Sequence, residues 1–202
     1  MAQAQAVTLS YEDGTRAVEL AREAVESYVI NGQREQPGSM REAFYARTGV
    51  FVRINSTRGR GSLRGCDGSY EGTDQLGHAI VDAAITAASS NSCGSEVEAA
   101  ELSNLVLSVC VVTDVEHVAD PLGTLQLGRH GVAVEGRGHY GWMYPTVPVE
   151  NDWSVPQYLN RTCQKAGLPP GAWEDDDVTV TLFDGQVFRE REPEGSVEEL
   201  VV

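Results

Sequence analysis

Apolar residues recur at three- and four-residue spacing from Val18 through Ala21, Ala24, Val25, Tyr28 and Val29, the signature of an amphipathic helix with one face in a core. Ser10 stands three residues before Asp13 as an approximate capping box, and Asn31-Gly32 supplies a stop. The spacing therefore predicts a helix over 15–31, followed by a polar loop from 33 to 42 around Pro37-Gly38. Val50-Phe51-Val52-Arg53-Ile54 predicts a strand over about 49–56, and Gly59 and Gly61 mark a hairpin-like turn after it. Thr73-Asp74 opens a second helix, 74–88, with Leu76, Ile80, Val81, Ala84, Ile85 and Ala88 on one side. His78 and Asp82, four apart on another side, read as a solvated pair, and Ser89 to Ser95 reads as a loop exposing Cys93.

Leu105 to Val115 changes the pattern, being apolar at both parities, which predicts a central strand buried on both faces with Cys110 in the core. Asp120-Pro121 breaks the chain. Gly128 to Glu135, a Gly136-Arg137-Gly138 turn and His139 to Tyr144 then predict a β-hairpin ended by Pro145. Ser154 caps a helix through Tyr158, Leu159, Cys163 and Ala166, closed by Gly167. Val178 to Leu182 and Gln186 to Arg189 alternate around Asp184-Gly185, as one last strand or as a hairpin. The class is α+β, an antiparallel sheet flanked by helices, with one domain over 1–192 and an acidic flexible tail over 193–202.

Composition narrows the partners. The net charge is -15, and of the 15 basic residues only Lys165 is a lysine. Abundant carboxylates with almost no lysine predict a protein suited to high salt, stabilised as KCl screens its self-repulsion. Such a chain is a poor candidate for gripping a phosphate backbone or an anionic membrane. No apolar run approaches the ~20 residues of a membrane span, and the N-terminus lacks the pattern of a signal peptide. A cytoplasmic location is expected. Cys66, Cys93, Cys110 and Cys163 form no Cys-x-x-Cys pair, and His78, His117, His130 and His139 form no paired metal motif. Neither a metal nor another cofactor is called for.

The chemistry gathers at Leu63-Arg64-Gly65-Cys66-Asp67-Gly68. Glycine lets a ligand or a second backbone come close, Arg64 supplies a charge, and Cys66 supplies a thiol. One reading is a substrate or anion site centred on Cys66. The other is a tight strand-to-loop turn with Cys66 as a small buried hydrophobe.

The order of these segments resembles the AMMECR domain family, named after the chromosomal region of a human syndrome of Alport nephritis, midface hypoplasia and elliptocytosis. Its carriers are Ala21-Arg22, Gly49-Val50-Phe51-Val52, Leu63-Arg64-Gly65-Cys66 with Gly68, and Asp120-Pro121-Leu122. Gly128-Arg129-His130-Gly131-Val132, Pro145 with Val147, and the run Cys163 to Pro169 continue it. With the acidic composition, a haloarchaeal member is expected. The resemblance implies a larger lobe, a smaller lobe and a cleft lined by the Leu63–Gly68 stretch. It implies association with Memo-like and radical S-adenosylmethionine proteins, and no settled reaction. The sequence departs from the family at Asp67, at Ser89 to Ser95, and at Trp142-Met143-Tyr144.

Three function classes stay open. An enzyme would use Cys66 as nucleophile with His130 as base, and Asp67 beside the thiol would oppose its ionisation. A binding module or adaptor would hold a small molecule or protein partner without chemistry. Nucleic-acid binding would use Arg53, Arg58, Arg60 and Arg64, against the global charge. Ligand-binding roles are expected for Arg64, Gly65, Gly68, Arg129 and His139, with Arg64 contributing most through paired bonds to an anion.

Overall fold

The computed structural model describes residues 7–38, 41–59, 62–89 and 95–200. It divides into two compact units, one holding the residues up to Thr113 with those from Gln186 onward, the other holding Asp114–Gly185. Strands β3 (Leu105–Val118) and β6 (Val178–Glu190) run from one unit into the other.

In the first unit, helix α1 (Tyr11–Asn31) begins at the Ser10–Asp13 capping box and ends on Gly32 in the left-handed region. Strands β1 (Val50–Ser56) and β2 (Leu63–Ser69) form an antiparallel hairpin, and β1 also pairs antiparallel with β3. Helix α2 (Leu76–Ser89) starts two residues later than its sequence pattern suggests. The Asp74 carboxylate accepts from the Gln75 amide, and Arg47 donates to the Thr73 carbonyl, so this segment is held as a loop. Val50, Val52 and Ile54 of β1 and Leu105, Leu107, Val109 and Val111 of β3 pack against α1 and α2 as one core. Cys110, on the other face of β3, is fully buried, as its two-faced pattern predicts.

In the C-terminal region the first of the two readings of 178–189, a single strand, holds: β6 is continuous through Asp184-Gly185, which makes no turn. The supposed loose tail contains strand β7 (Val197–Leu200), paired antiparallel with β6. Glu190, at the end of β6, is buried. Its carboxylate accepts from Arg22 Nη2 at 2.7 Å and from the Leu107 amide at 2.9 Å, while the same Arg22 nitrogen donates to the Leu105 carbonyl at 2.7 Å. A buried carboxylate needs such partners, and these tie α1, β3 and β6 together.

In the second unit, β4 (Gly131–Gly136) and β5 (His139–Met143) form the expected hairpin, with Arg137 and Gly138 both at positive φ in the turn. β4 pairs with β6 on its other side. Helix α5 (Val155–Ala166) carries a Ser154–Gln157 capping box and ends on Gly167, and its Tyr158, Leu159 and Cys163 pack on β4 and β6. Two short helices, α3 (Pro121–Thr124) and α4 (Thr146–Glu150), add turns that the apolar periodicity does not reveal. Among the described residues no helix is long and apolar enough to cross a membrane. Cys93 and Arg60 lie outside the described residues.

Candidate functional site

The Leu63–Gly68 stretch is strand β2 itself rather than a turn. Its pairing with β1 runs evenly from Ser69 to Gly65 and then slips: Ile54 faces Gly65 while Asn55 faces Leu63. Arg64 is therefore the extra residue of a β-bulge, a device that re-aims a side chain. Its Nε and Nη2 donate to both oxygens of Glu101 at 2.8 and 2.9 Å, and the Ser95 and Glu96 carbonyls accept at 3.3 Å. The paired guanidinium holds the Glu101 carboxyl down to about 2. Arg64 thus fastens β2 to the 3-10 turn Ala99–Asn104. Arg64, committed to Glu101, is held as a structural anchor rather than as part of an open cationic patch.

Gly65 is a packing requirement. A Cβ there would sit 1.9 Å from the Ala87 carbonyl oxygen, so only glycine admits α2 this close. Successive strand residues point to opposite faces. Gly65 faces α2, so Cys66 and Gly68 face away from it, and Asp67 leaves on the α2 side. The Asp67 side chain therefore leaves from the face opposite to the thiol. Burial instead pushes the Asp67 carboxyl above its ordinary range, with a bond from the Gly68 backbone opposing.

On the Cys66 face, register sets residues abreast. Arg53 in β1 lies opposite Cys66 in β2 and opposite Ser108 in β3, and the next row is Gly68, Phe51 and Cys110. Directly opposed residues have Cβ atoms about 4.5–5.5 Å apart, so a guanidinium-bearing position is flanked by a thiol and a hydroxyl. Cys66 is 7% exposed and Ser108 6%. Gly68 has φ 142°, and a Cβ would meet the Val50 carbonyl oxygen at 2.2 Å, so this position needs glycine. Burial pushes the Cys110 thiol up to about 12, which makes it an inert packing group.

The other predicted residues belong to the second unit. Arg129 donates to Asp184 Oδ2 at 2.9 Å, and His130 Nε2 lies 3.4 Å from Asp184 Oδ1. His130 Nδ1 accepts from the Gln126 amide at 3.1 Å, and its own amide donates to the Gln126 carbonyl at 3.0 Å. An imidazole whose Nδ1 accepts carries its neutral-state proton on Nε2. His130 therefore closes the 126–130 turn and presents an N–H to Asp184, an arrangement that leaves no basic nitrogen to take a proton. Burial pushes its pKa below the ordinary imidazole value, against the pull of Asp184. His139 is exposed, with Nδ1 3.1 Å from the Ala166 carbonyl at the end of α5. Among the described residues, no group of three or more His, Cys, Asp or Glu is placed to hold a metal ion.

The AMMECR1 family model matches residues 18–188, most of the chain. The chain belongs to the AMMECR1 family. It is 63% identical to a protein of Halobacterium salinarum over 208 aligned positions, covering 99% of both chains. A protein of Methanocaldococcus jannaschii is 35% identical, with 94% of this chain and 96% of that one covered. The crystal structure of the uncharacterized protein PH0010 from Pyrococcus horikoshii superimposes with a TM-score of 0.88 at 33% identity, covering 96% of this chain and 99% of that one. The AMMECR1 fold is thus shared, and these relatives' names assign no activity.

Within this AMMECR1 chain, two members of the polar row escaped the reading of the six-residue stretch. Arg53 sits on the parity opposite to Val50, Val52 and Ile54, and Ser108 is the polar position between Val106 and Cys110. That shared interruption of two apolar strands was the available signal. Their juxtaposition depends on a register that the sequence does not print.

Proposed function

We infer that this AMMECR1-family protein is a small-molecule-binding protein, with its site on the Cys66 face of the first unit's sheet. The observation that carries this reading is the row Cys66–Arg53–Ser108, set abreast by register. The opposite face of β1 and β3 is wholly apolar where it meets the helices, as core packing requires. On the other face the half-buried Arg53 stands between a thiol and a hydroxyl, in the row next to Gly68, Phe51 and Cys110. Arginine in a partly dry setting favours a carboxylate or phosphate group through paired, charge-assisted hydrogen bonds. The expected ligand is a small organic anion, with Arg53 holding the charge and Ser108 and Cys66 contacting the neighbouring atoms.

Arg64, Gly65 and Gly68 then serve the site indirectly. Arg64 anchors the bulge, Gly65 seats β2 on α2, and Gly68 permits the strand to cross beside Phe51. Non-covalent binding is favoured over nucleophilic catalysis because Cys66 is 7% exposed and the neighbouring Asp67 carboxyl leaves from the opposite face of the strand. A thermal-shift panel of phosphate, small dicarboxylates and nucleotides at constant ionic strength tests the proposal. At least one anion should raise the melting temperature in a saturable way. A panel without any saturable response would remove the proposed ligand class.

A further inference from the structure

The second unit carries a groove of about 580 Å³, lined by residues 117–122, 173–176 and 178–180. We propose that this groove docks an extended cationic peptide segment of a protein partner, one that presents an aliphatic side chain beside its arginines or lysines.

Leu122 and Trp173 give part of the lining an apolar character, and Trp173 is held in place. Leu122 is 50% exposed on α3. Trp173 is fixed by its indole N–H, which donates to Asn160 Oδ1 at 2.8 Å, and the same oxygen accepts from the Gly171 amide at 2.8 Å. A wall already held in its binding geometry costs little further ordering when a partner arrives.

The rim decides the occupant by charge. Asp120, Glu174, Asp175 and Asp176 all line the groove, and no arginine or lysine does. Among the described residues, only Asp175 of these four has a basic partner, Arg137 at 2.8 Å. The contrast is a second cavity of about 390 Å³ beside α1, also rich in glutamate. There Glu19 and Glu23 are bound by Arg16, and Glu26 and Glu190 by Arg22. Apart from Asp175, the acids of the groove rim have not been matched in this way, and they share the groove with the exposed Leu122 and the half-buried Trp173. Anionic lipid and nucleic acid are repelled by the same rim. Because salt at about 1 M screens charges beyond ~3 Å, only contact-distance pairs would survive in brine, and Leu122 and Trp173 must supply the rest.

The test uses the full chain and a fluorescein-labelled nonapeptide alternating arginine and leucine, read by anisotropy at about 0.15 M and 2 M KCl. Saturable binding should weaken about tenfold in Glu174→Gln/Asp176→Asn, and about fivefold at high salt in Leu122→Ser. The control pair Glu42→Gln/Glu71→Gln, which removes the same charge from the first unit, should leave binding unchanged. Circular dichroism verifies that each variant is folded. Absence of binding, an equal loss in the control pair, or equally tight binding of a peptide with serine in place of leucine would each overturn the proposal.

Discussion

Replacing Arg64 by methionine should cost stability rather than ligand affinity. The variant keeps the length and apolar stem of the side chain and removes the guanidinium that bridges β2 to Glu101. Glu101 is held down to about 2 from an ordinary 4.5, a difference that at 1.36 kcal/mol per pH unit sets an upper bound of about 3.4 kcal/mol. The Glu101 side chain is 34% exposed, so solvent screening reduces that figure to roughly 1–2 kcal/mol. For a chain of this size the melting temperature should fall by about 2–8 °C. The sign with pH follows from a depressed carboxylate. The contribution is present above the unfolded pKa of Glu101 and disappears as pH falls through its folded value. Urea unfolding of wild type, Arg64→Met, Glu101→Gln and the double variant at pH 7 and near pH 2 measures it as a cycle. A coupling energy near zero at pH 7, or one that is unchanged near pH 2, would refute the structural role given to Arg64.

Other parts of the account can be checked in the same assay. Glu190→Gln leaves the buried Arg22 with only the more exposed Glu26 as counter-charge and should cost about 3 kcal/mol; a loss below about 1 kcal/mol would show that the Arg22–Glu190 contact contributes little. Gly65→Ala drives a Cβ against the Ala87 carbonyl, which cannot rotate away, and should cost about 3 kcal/mol; a neutral substitution would mean that α2 yields easily. Asp67→Asn should stabilise the protein by roughly 1 kcal/mol at pH 7. The raised carboxyl of the folded state favours folding at low pH and loses that advantage as pH rises, so the gain should vanish below about pH 3.8; a gain that persists there would contradict the buried-charge explanation.

Elements with local causes were legible in the sequence. Helix α1 was readable because Ser10, Asp13 and Gly32 are local signals, and α5 because Ser154, Gln157 and Gly167 are. The two-faced burial of β3 followed from its parity alone. The candidate site was legible only in part. Gly65-Cys66 drew notice through composition, yet a composition cannot say that a bulge sends Arg64 to Glu101 while register sets Arg53 beside Cys66. The C-terminal strand was hidden for a similar reason. Val197 to Leu200 looks acidic and loose in isolation, and becomes a strand because β6 supplies a partner. Asp184-Gly185 has the composition of a turn, but pairing of β6 on both sides of it keeps the chain extended.

The most direct test of the anion site is to titrate the best-responding anion from the thermal-shift panel into folded Arg53→Met and Arg64→Met proteins by calorimetry. Losing charge-assisted hydrogen bonds costs about 1.5–3 kcal/mol, so Arg53→Met should bind roughly 10- to 150-fold more weakly than wild type. Arg64→Met, destabilised but folded, should bind like wild type. Retained affinity in Arg53→Met, with loss in Arg64→Met, would contradict the assignment and return the site to the arginine of the bulge.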